Sequence, residues 1–366
     1  MTDAAVPAGS PDSGAAPARG PRLLALDATR AAAIVGMIAV NVGPRTGDGP
    51  AAFLYHLPLG RASLLFMLLA GIGMSLLTRS ARRPGGSLPW PTILWRAALL
   101  LAAGLALQPL PHDVSVILPT YGLLFMACLP LLKAPTRIVA AVTGILFAAG
   151  PVAWIALQVA TGETYDFTAP SITDGAADIL HGIVLSGPYP AIIWAAPFLA
   201  GLLLGRADLG NRALQKRLAW WGAATAAGGY LLYRALVALL GQPGDAMGFD
   251  HLVSGVNHSQ MPLWILSGTG SAVFVLGAFL LCEAFVAEWL GALVSAGQLS
   301  LTIYVGHLVW LAALVRPEPH YLYEGIFITI AMSLAALVFA DIWTSRFKIG
   351  PLERLLHWPA RKTSRR

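Results

Sequence analysis

The chain has 366 residues, 57% of them hydrophobic and only 11% charged, with a mean hydropathy of +0.68. A soluble globular domain has no use for so much apolar surface, so the composition points to many apolar segments joined by short loops, as in a polytopic membrane protein. A net charge of +6 does not suggest nucleic acid, because Lys and Arg are scattered between the apolar runs. The two cysteines, Cys128 and Cys282, lie inside such runs without metal-ligand spacing, which argues against a disulfide framework or a metal site.

Residues 1–20 are mostly Ala, Gly, Pro and Ser with little to bury, and they read as a disordered tail without an evident cleavable signal peptide. Apolar runs of about twenty residues then recur, the length needed to cross roughly 30 Å of hydrocarbon as a helix. Ten are expected, at about 23–43, 57–78, 92–110, 114–132, 136–160, 188–205, 216–240, 261–286, 298–315 and 321–345. The fold class is therefore an all-α bundle of about ten transmembrane helices, because spans this long cannot be barrel strands and lipid leaves backbone groups no other partner. Residues 175–186 are too short to cross and read as a re-entrant or surface-lying helix, with 288–296 similar. The implied organisation is a tail (1–20), a transmembrane unit (21–356) and a basic tail (357–366).

Placing both termini in the cytoplasm gathers most of the 24 Lys and Arg on one side, in the two tails and alternate loops, and leaves Arg45 and Arg316 opposite. This agrees with the positive-inside rule and requires an even number of spans. The opposite loops, 161–190 and 241–262, are long and acidic. His56, His112, His181, His251, His258 and His320 fall on or near that face, where a substrate chamber is expected, with His258 the strongest candidate of the loop histidines after His56. No internal repeat is visible, which weakens a transporter reading.

Polar residues inside apolar spans are the candidates for chemistry. Asn41 closes the first span, His56 lies in the following loop and Arg61 opens the second span. An imidazole takes or gives protons near neutral pH or carries an acyl group, and an Asn amide orients such a ring or donates to an oxyanion. On spacing alone a structural pair serves as well. Asp27 and Arg30, at i and i+3, form either an interfacial ion pair or a fixed cation for phosphate. Arg96 and Asp341 lie near the basic side. Arg234 lies within the seventh expected span. His307, deep in the ninth, is either a packed core residue or part of a path through the bundle. No P-loop, dinucleotide fingerprint, zinc-protease motif or nucleophile elbow is present.

LDATRAAAIVGMIAVN, followed by His56 and GRASLLFMLLAGIGMSLL, resembles the opening of the heparan-alpha-glucosaminide N-acetyltransferase family and its bacterial YeiB-like relatives, within the transmembrane acyltransferase superfamily. The resemblance continues through LPTYGLLFMACLPLL, YPAIIWAAPFLAGLLLGR, NHSQMP, GQLSLTIYVGHL and GPLERLL. It implies transfer of an acetyl or other acyl group from cytoplasmic acyl-CoA to an amine or hydroxyl of a glycan or other small acceptor across a cytoplasmic membrane. The family's active-site Asn and His align with Asn41 and His56, and its Asp-x-x-Arg with Asp27 and Arg30, although Ala31 stands where relatives usually have Gly. Arg30 and Arg96 are expected to meet the CoA phosphates, with Arg61, His258 and His307 on the acceptor side. The expected partners are the bilayer, acyl-CoA and the acceptor, with a homodimer left open and no metal or nucleic acid. The rival readings are a transporter or flippase of a small solute or lipid-linked sugar, and a structural or sensory membrane protein.

Overall fold

The computed structural model describes residues 23–357; the expected tails, His357 excepted, lie outside them. Among the described residues there is no strand. The helices in order are α1 (Leu24–Val42), α2 (Gly49–His56), α3 (Arg61–Leu77), α4 (Trp90–Leu107), α5 (Leu118–Ala127), α6 (Leu129–Leu132), α7 (Thr136–Thr161) and α8 (Ala176–His181). They continue with α9 (Ala191–Leu204), α10 (Arg212–Leu240), α11 (Pro262–Leu281), α12 (Glu283–Trp289), α13 (Gly291–Gln298), α14 (Ser300–Trp310), α15 (Leu322–Arg346) and α16 (Glu353–Leu356).

Seven of these stretches are long and apolar enough to cross a bilayer: α1, α2–α3 together, α4, α7, α10, α11 and α15. Two further spans are bent pairs. The segment Ala176–Ser186 meets α9 at 62°, and α13 meets the Ser300–Val315 stretch at 84°. Each of the ten expected spans coincides with one of these elements or with α5–α6. The expected span at 114–132 is cut short, because residues 111–117 run outside any helix and α5 breaks at Cys128 before Pro130. The two short segments at 175–186 and 288–296 are largely the leading arms of the bent pairs. This is a polytopic membrane protein, and its outer faces suit lipid: Trp220, Trp221 and Leu239 on α10 and Phe327 and Leu334 on α15 are all exposed.

The bundle closes around α1 and α3, the most deeply buried of the candidate spans. Lipid tails are as apolar as Leu, so helices in a membrane gain most from close backbone approach at small residues. Gly71 on α3 and Gly201 on α9 face each other in this way: a Cβ on Gly71 would land on the Phe198 carbonyl, and one on Gly201 on the Leu68 carbonyl. Gly297 of α13 rests equally close against the Asp27 carbonyl of α1.

Helix starts at one end are held by carboxylates. The backbone N–H groups of Leu24 and Ala25 donate to Glu283 at 2.7 and 2.9 Å. Those of Leu301 and Thr302 donate to Glu353 at 2.8 and 3.0 Å, and the Thr302 hydroxyl adds a bond of 2.6 Å. A carboxylate there satisfies orphan donors and suits the positive end of the helix dipole. Basic residues gather at this same end. Arg206 donates to the carbonyls of Leu131 and Ala134, Arg96 to that of Leu356 and Arg212 to that of Leu281.

Gly201→Leu is expected to aggregate or to lose at least about 1–3 kcal/mol by overpacking. Gly144→Leu, where an added Cβ meets nothing within 4 Å, should melt near wild type. Thermal size-exclusion profiles in detergent compare the two.

Candidate functional site

The break between α13 and α14 sets the register of the site. With α14 starting at Ser300, Tyr304 and His307 lie about one turn apart on a buried face, their rings 5.1 Å apart at 67°. From the end of α1, Asn41 reaches across: its Nδ2 donates to His307 Nε2 at 3.1 Å, an orientation that leaves the imidazole proton on Nδ1. Arg316, just past α14, fixes the Asn41 backbone by donating to its carbonyl at 2.7 Å, and donates to the His112 carbonyl at 2.6 Å.

Asn41 opens into a cavity of about 350 Å³ with Arg45, Ser63, Ser115, Tyr189, His258 and Tyr304 on its walls. His258 is held on a strained turn in which both it (φ 59°) and Gln260 (φ 64°) lie in the left-handed region. Gln260 accepts from Trp194 Nε1 at 2.9 Å and donates to the Pro188 carbonyl at 3.1 Å, which fixes the turn. The His258 ring then sits among Trp264, Tyr189 and Trp194, with centroids 5.4, 5.9 and 6.1 Å away. Burial among these rings, helped by the Arg45 charge, pushes its pKa down to about 4. It is a neutral imidazole at physiological pH and able to accept a proton.

A second cavity, of about 370 Å³, opens at the basic end of the bundle and carries Arg30, Arg96, Tyr121, Ser300, Tyr304 and His357 among its walls. Arg30 is paired with Asp27 at 2.7 Å and keeps about a quarter of its side chain exposed. No carboxylate lines this cavity among the described residues. Tyr121 is buried and its hydroxyl has no hydrogen-bond partner there. Tyr304 lines both cavities and is the partition between them, with Phe66 stacked between it and Tyr121 at 6.2 and 5.7 Å.

The expected pairing of Asn41 with His56 is not what the structure has. The connection between the first two spans folds into α2, which carries His56 into a separate cavity of about 540 Å³ with Asp48, Arg61, Tyr233 and Arg234. His56 Nε2 donates there to the Pro44 carbonyl at 3.0 Å. The partner of Asn41 is His307, and the loop histidine that shares its cavity is His258. Arg30 and Arg96 do come together in one cavity, Asp27 holds Arg30, and Arg61 belongs with His56. Arg45, Tyr189 and Tyr304 were not expected. Arg45 had a signal, since it and Arg316 are the two basic residues of the loops on their side. Tyr304 had none, because a Tyr in an apolar helix reads as core. His112 is a loop builder: Nε2 donates to the Leu107 carbonyl at 3.0 Å and Nδ1 accepts from the Val114 N–H at 3.0 Å.

Residues 204–363 match a family model described as a protein of unknown function, DUF418. The match bears on the YeiB-like side of the resemblance. It stops short of the sugar N-acetyltransferase, because a family of undescribed function carries no reaction with it. No curated protein matches the chain.

His258 gives a pH test. Its pKa of about 4 lies below the value of roughly 6.5 for an unfolded His, so the unfolded chain binds the proton more readily between those values. Its contribution is complete above pH 6.5 and falls away as the pH drops towards 4. In detergent, the loss of melting temperature over that interval should be smaller in His258→Asn than in wild type.

Proposed function

We propose that this protein is an integral membrane acyltransferase that moves an acetyl or other acyl group from acyl-CoA to an amine or hydroxyl of a sugar-type acceptor. In this reading the basic end faces the cytoplasm of a cell whose cytoplasmic membrane holds the protein. Arg30 and Arg96 meet the CoA phosphates at the mouth of their cavity, and a planar guanidinium suits phosphate well. The thin pantetheine arm runs inward past Tyr121 and Tyr304, and the thioester arrives at Asn41 and His307. The acceptor occupies the opposite cavity beside His258, Arg45 and Tyr189.

The single observation that carries the proposal is Tyr304 standing as the common wall of two cavities that open at opposite ends of the bundle, with a hydrogen-bonded Asn–His pair beside it. Acyl transfer between compartments needs that arrangement: two substrates on two sides and a base and a donor where they meet. The acceptor's proton passes to a neutral imidazole as its oxygen or nitrogen attacks the thioester carbon. The Asn41 amide donates to the oxyanion that forms, the C–S bond breaks, and the thiolate leaving group takes the proton from the imidazolium. His258 is placed for this by its position in the acceptor cavity, while His307, whose Nε2 accepts from Asn41 and whose ring lines a separate apolar pocket, positions the amide that donates to the oxyanion. A ping-pong route through an acyl-imidazole uses the same residues.

A CoA-independent transporter is the rival reading, and the two bent helix pairs favour it, since such spans line solute paths in secondary transporters. Labelled acetyl-CoA, supplied to inverted vesicles enclosing candidate glycans, separates the two. Acyl transfer should fall by roughly 10²–10³-fold in Asn41→Ala and His307→Ala and stay within about threefold in His56→Ala. Label movement without acyl transfer, or transfer indifferent to His307→Ala, would overturn the proposal.

A further inference from the structure

The cavity that holds His56 has no part in the acyl-transfer route, yet it is the largest of those described, at about 540 Å³, and it is basic. Arg61, from the start of α3, and Arg234, from α10, both line it, with His56, Tyr230 and Tyr233, against one acidic residue, Asp48. Arg61 spends one donor on the Leu57 carbonyl of its own turn at 3.3 Å, and Arg234 has no hydrogen-bond or ion-pair partner among the described residues. Two arginines facing one cavity near the ends of membrane helices, without a carboxylate bound to either, leave a positive charge that calls for an anion.

What lies beneath the cavity says which kind of anion. Leu57 and Arg61 also line a second, apolar groove of about 420 Å³ that runs between α1, α3 and α11. Its walls are small along α1, with Ala32, Ala33 and Gly36, and α11 contributes Ser271, Ala272, Phe274 and Val275. Ser271 and Val275 stand nine and thirteen residues in from the start of α11, about 14 and 20 Å along its axis, so the groove descends towards the middle of the bilayer. A soluble phosphate or a nucleotide would have no use for that extension. A headgroup and a straight hydrocarbon chain joined at Arg61 fill both parts.

We infer that the Arg61–Arg234 cavity and the groove below it form a binding site for a phosphate-bearing lipid, the headgroup among Arg61, Arg234 and the two tyrosines and an acyl chain along α1 and α11. The bound lipid covers the otherwise open seam between α1, α3 and the α10–α11 pair, and its singly charged phosphodiester, together with Asp48, balances the two guanidinium groups. The site stands apart from the acyl-transfer proposal: its headgroup cavity shares no lining residue with the two cavities that meet at Tyr304, and the groove below it shares only Ala62 with one of them.

Delipidated protein in detergent, titrated with phosphatidylglycerol and followed by native mass spectrometry without acyl-CoA, tests this. One phosphatidylglycerol should bind in preference to phosphatidylcholine, and glycerol 3-phosphate should bind at least tenfold more weakly than the lipid. Arg61→Gln and Arg234→Gln should each weaken the lipid by about fivefold, roughly the worth of one basic residue at a charged membrane surface. Arg234 is exposed on α10, so its variant keeps the test open should Arg61→Gln not fold. Ala33→Phe should weaken phosphatidylglycerol and leave glycerol 3-phosphate unchanged. Equal binding of the two lipids, indifference to Arg234→Gln, or glycerol 3-phosphate as tight as the lipid would each overturn the inference.

Discussion

The hydrogen bond from Asn41 to His307 joins the end of the most buried helix to a broken one, and the site is organised around it. A membrane helix that carries an Asn and another that carries a His each present groups that hydrocarbon will not satisfy. Bringing them together pairs the Asn41 amide with His307 Nε2, leaving the buried His307 Nδ1 without a partner among the described residues, and it brings the Tyr304 turn of α14 against the same spot. The break at Leu299 makes this possible, because α14 can then take its own direction, 84° from α13, with Glu353 holding its first N–H groups. Arg316 closes the arrangement from the far end of α14 by binding the Asn41 carbonyl.

From this constraint follows the division of the interior. Tyr304 is the floor of one cavity and the ceiling of the other, with Phe66 and Tyr121 stacked behind it. The cavity at the basic end offers arginines and an unpartnered hydroxyl; the opposite one offers a neutral imidazole in an aromatic cage. A bundle of this kind excludes bulk water from the place where the two meet, which strengthens every electrostatic contact made there. The third, lipid-facing cavity lies outside this division, and its arginines answer to the bilayer.

Much of the fold was legible in the sequence because hydrocarbon imposes a simple rule on length: apolar runs of about twenty residues must be helices, and all ten expected spans coincide with helical elements. The short segments at 175–186 and 288–296 were also readable, since they are too short to cross, and both belong to bent pairs. What the sequence could not supply was the course of the connection between α1 and α3. His56 is fifteen residues from Asn41 and looks like a neighbour, but α2 turns it into a different cavity. His307 is far away in sequence and looks like core packing, yet it is the residue Asn41 touches. Pairings across a bundle depend on which helix faces are turned together, and hydrophobic periodicity in an all-round apolar helix does not encode that. Arg30 and Arg96 were legible because charge in an apolar span always needs a reason. Tyr304 was not, because a tyrosine does not.

In the proposed acyl transfer, one path connects the basic end of the bundle to the Asn41–His307 pair by way of Tyr304. The most direct test is an experimental structure with a non-hydrolysable acyl-CoA analogue bound. Phosphates are expected at Arg30 and Arg96, the pantetheine arm beside Tyr121 and Tyr304, and the acyl carbon roughly 3–4 Å from Asn41 or His307. An analogue bound elsewhere on the protein, or one whose acyl group points away from Tyr304 into lipid, would contradict it.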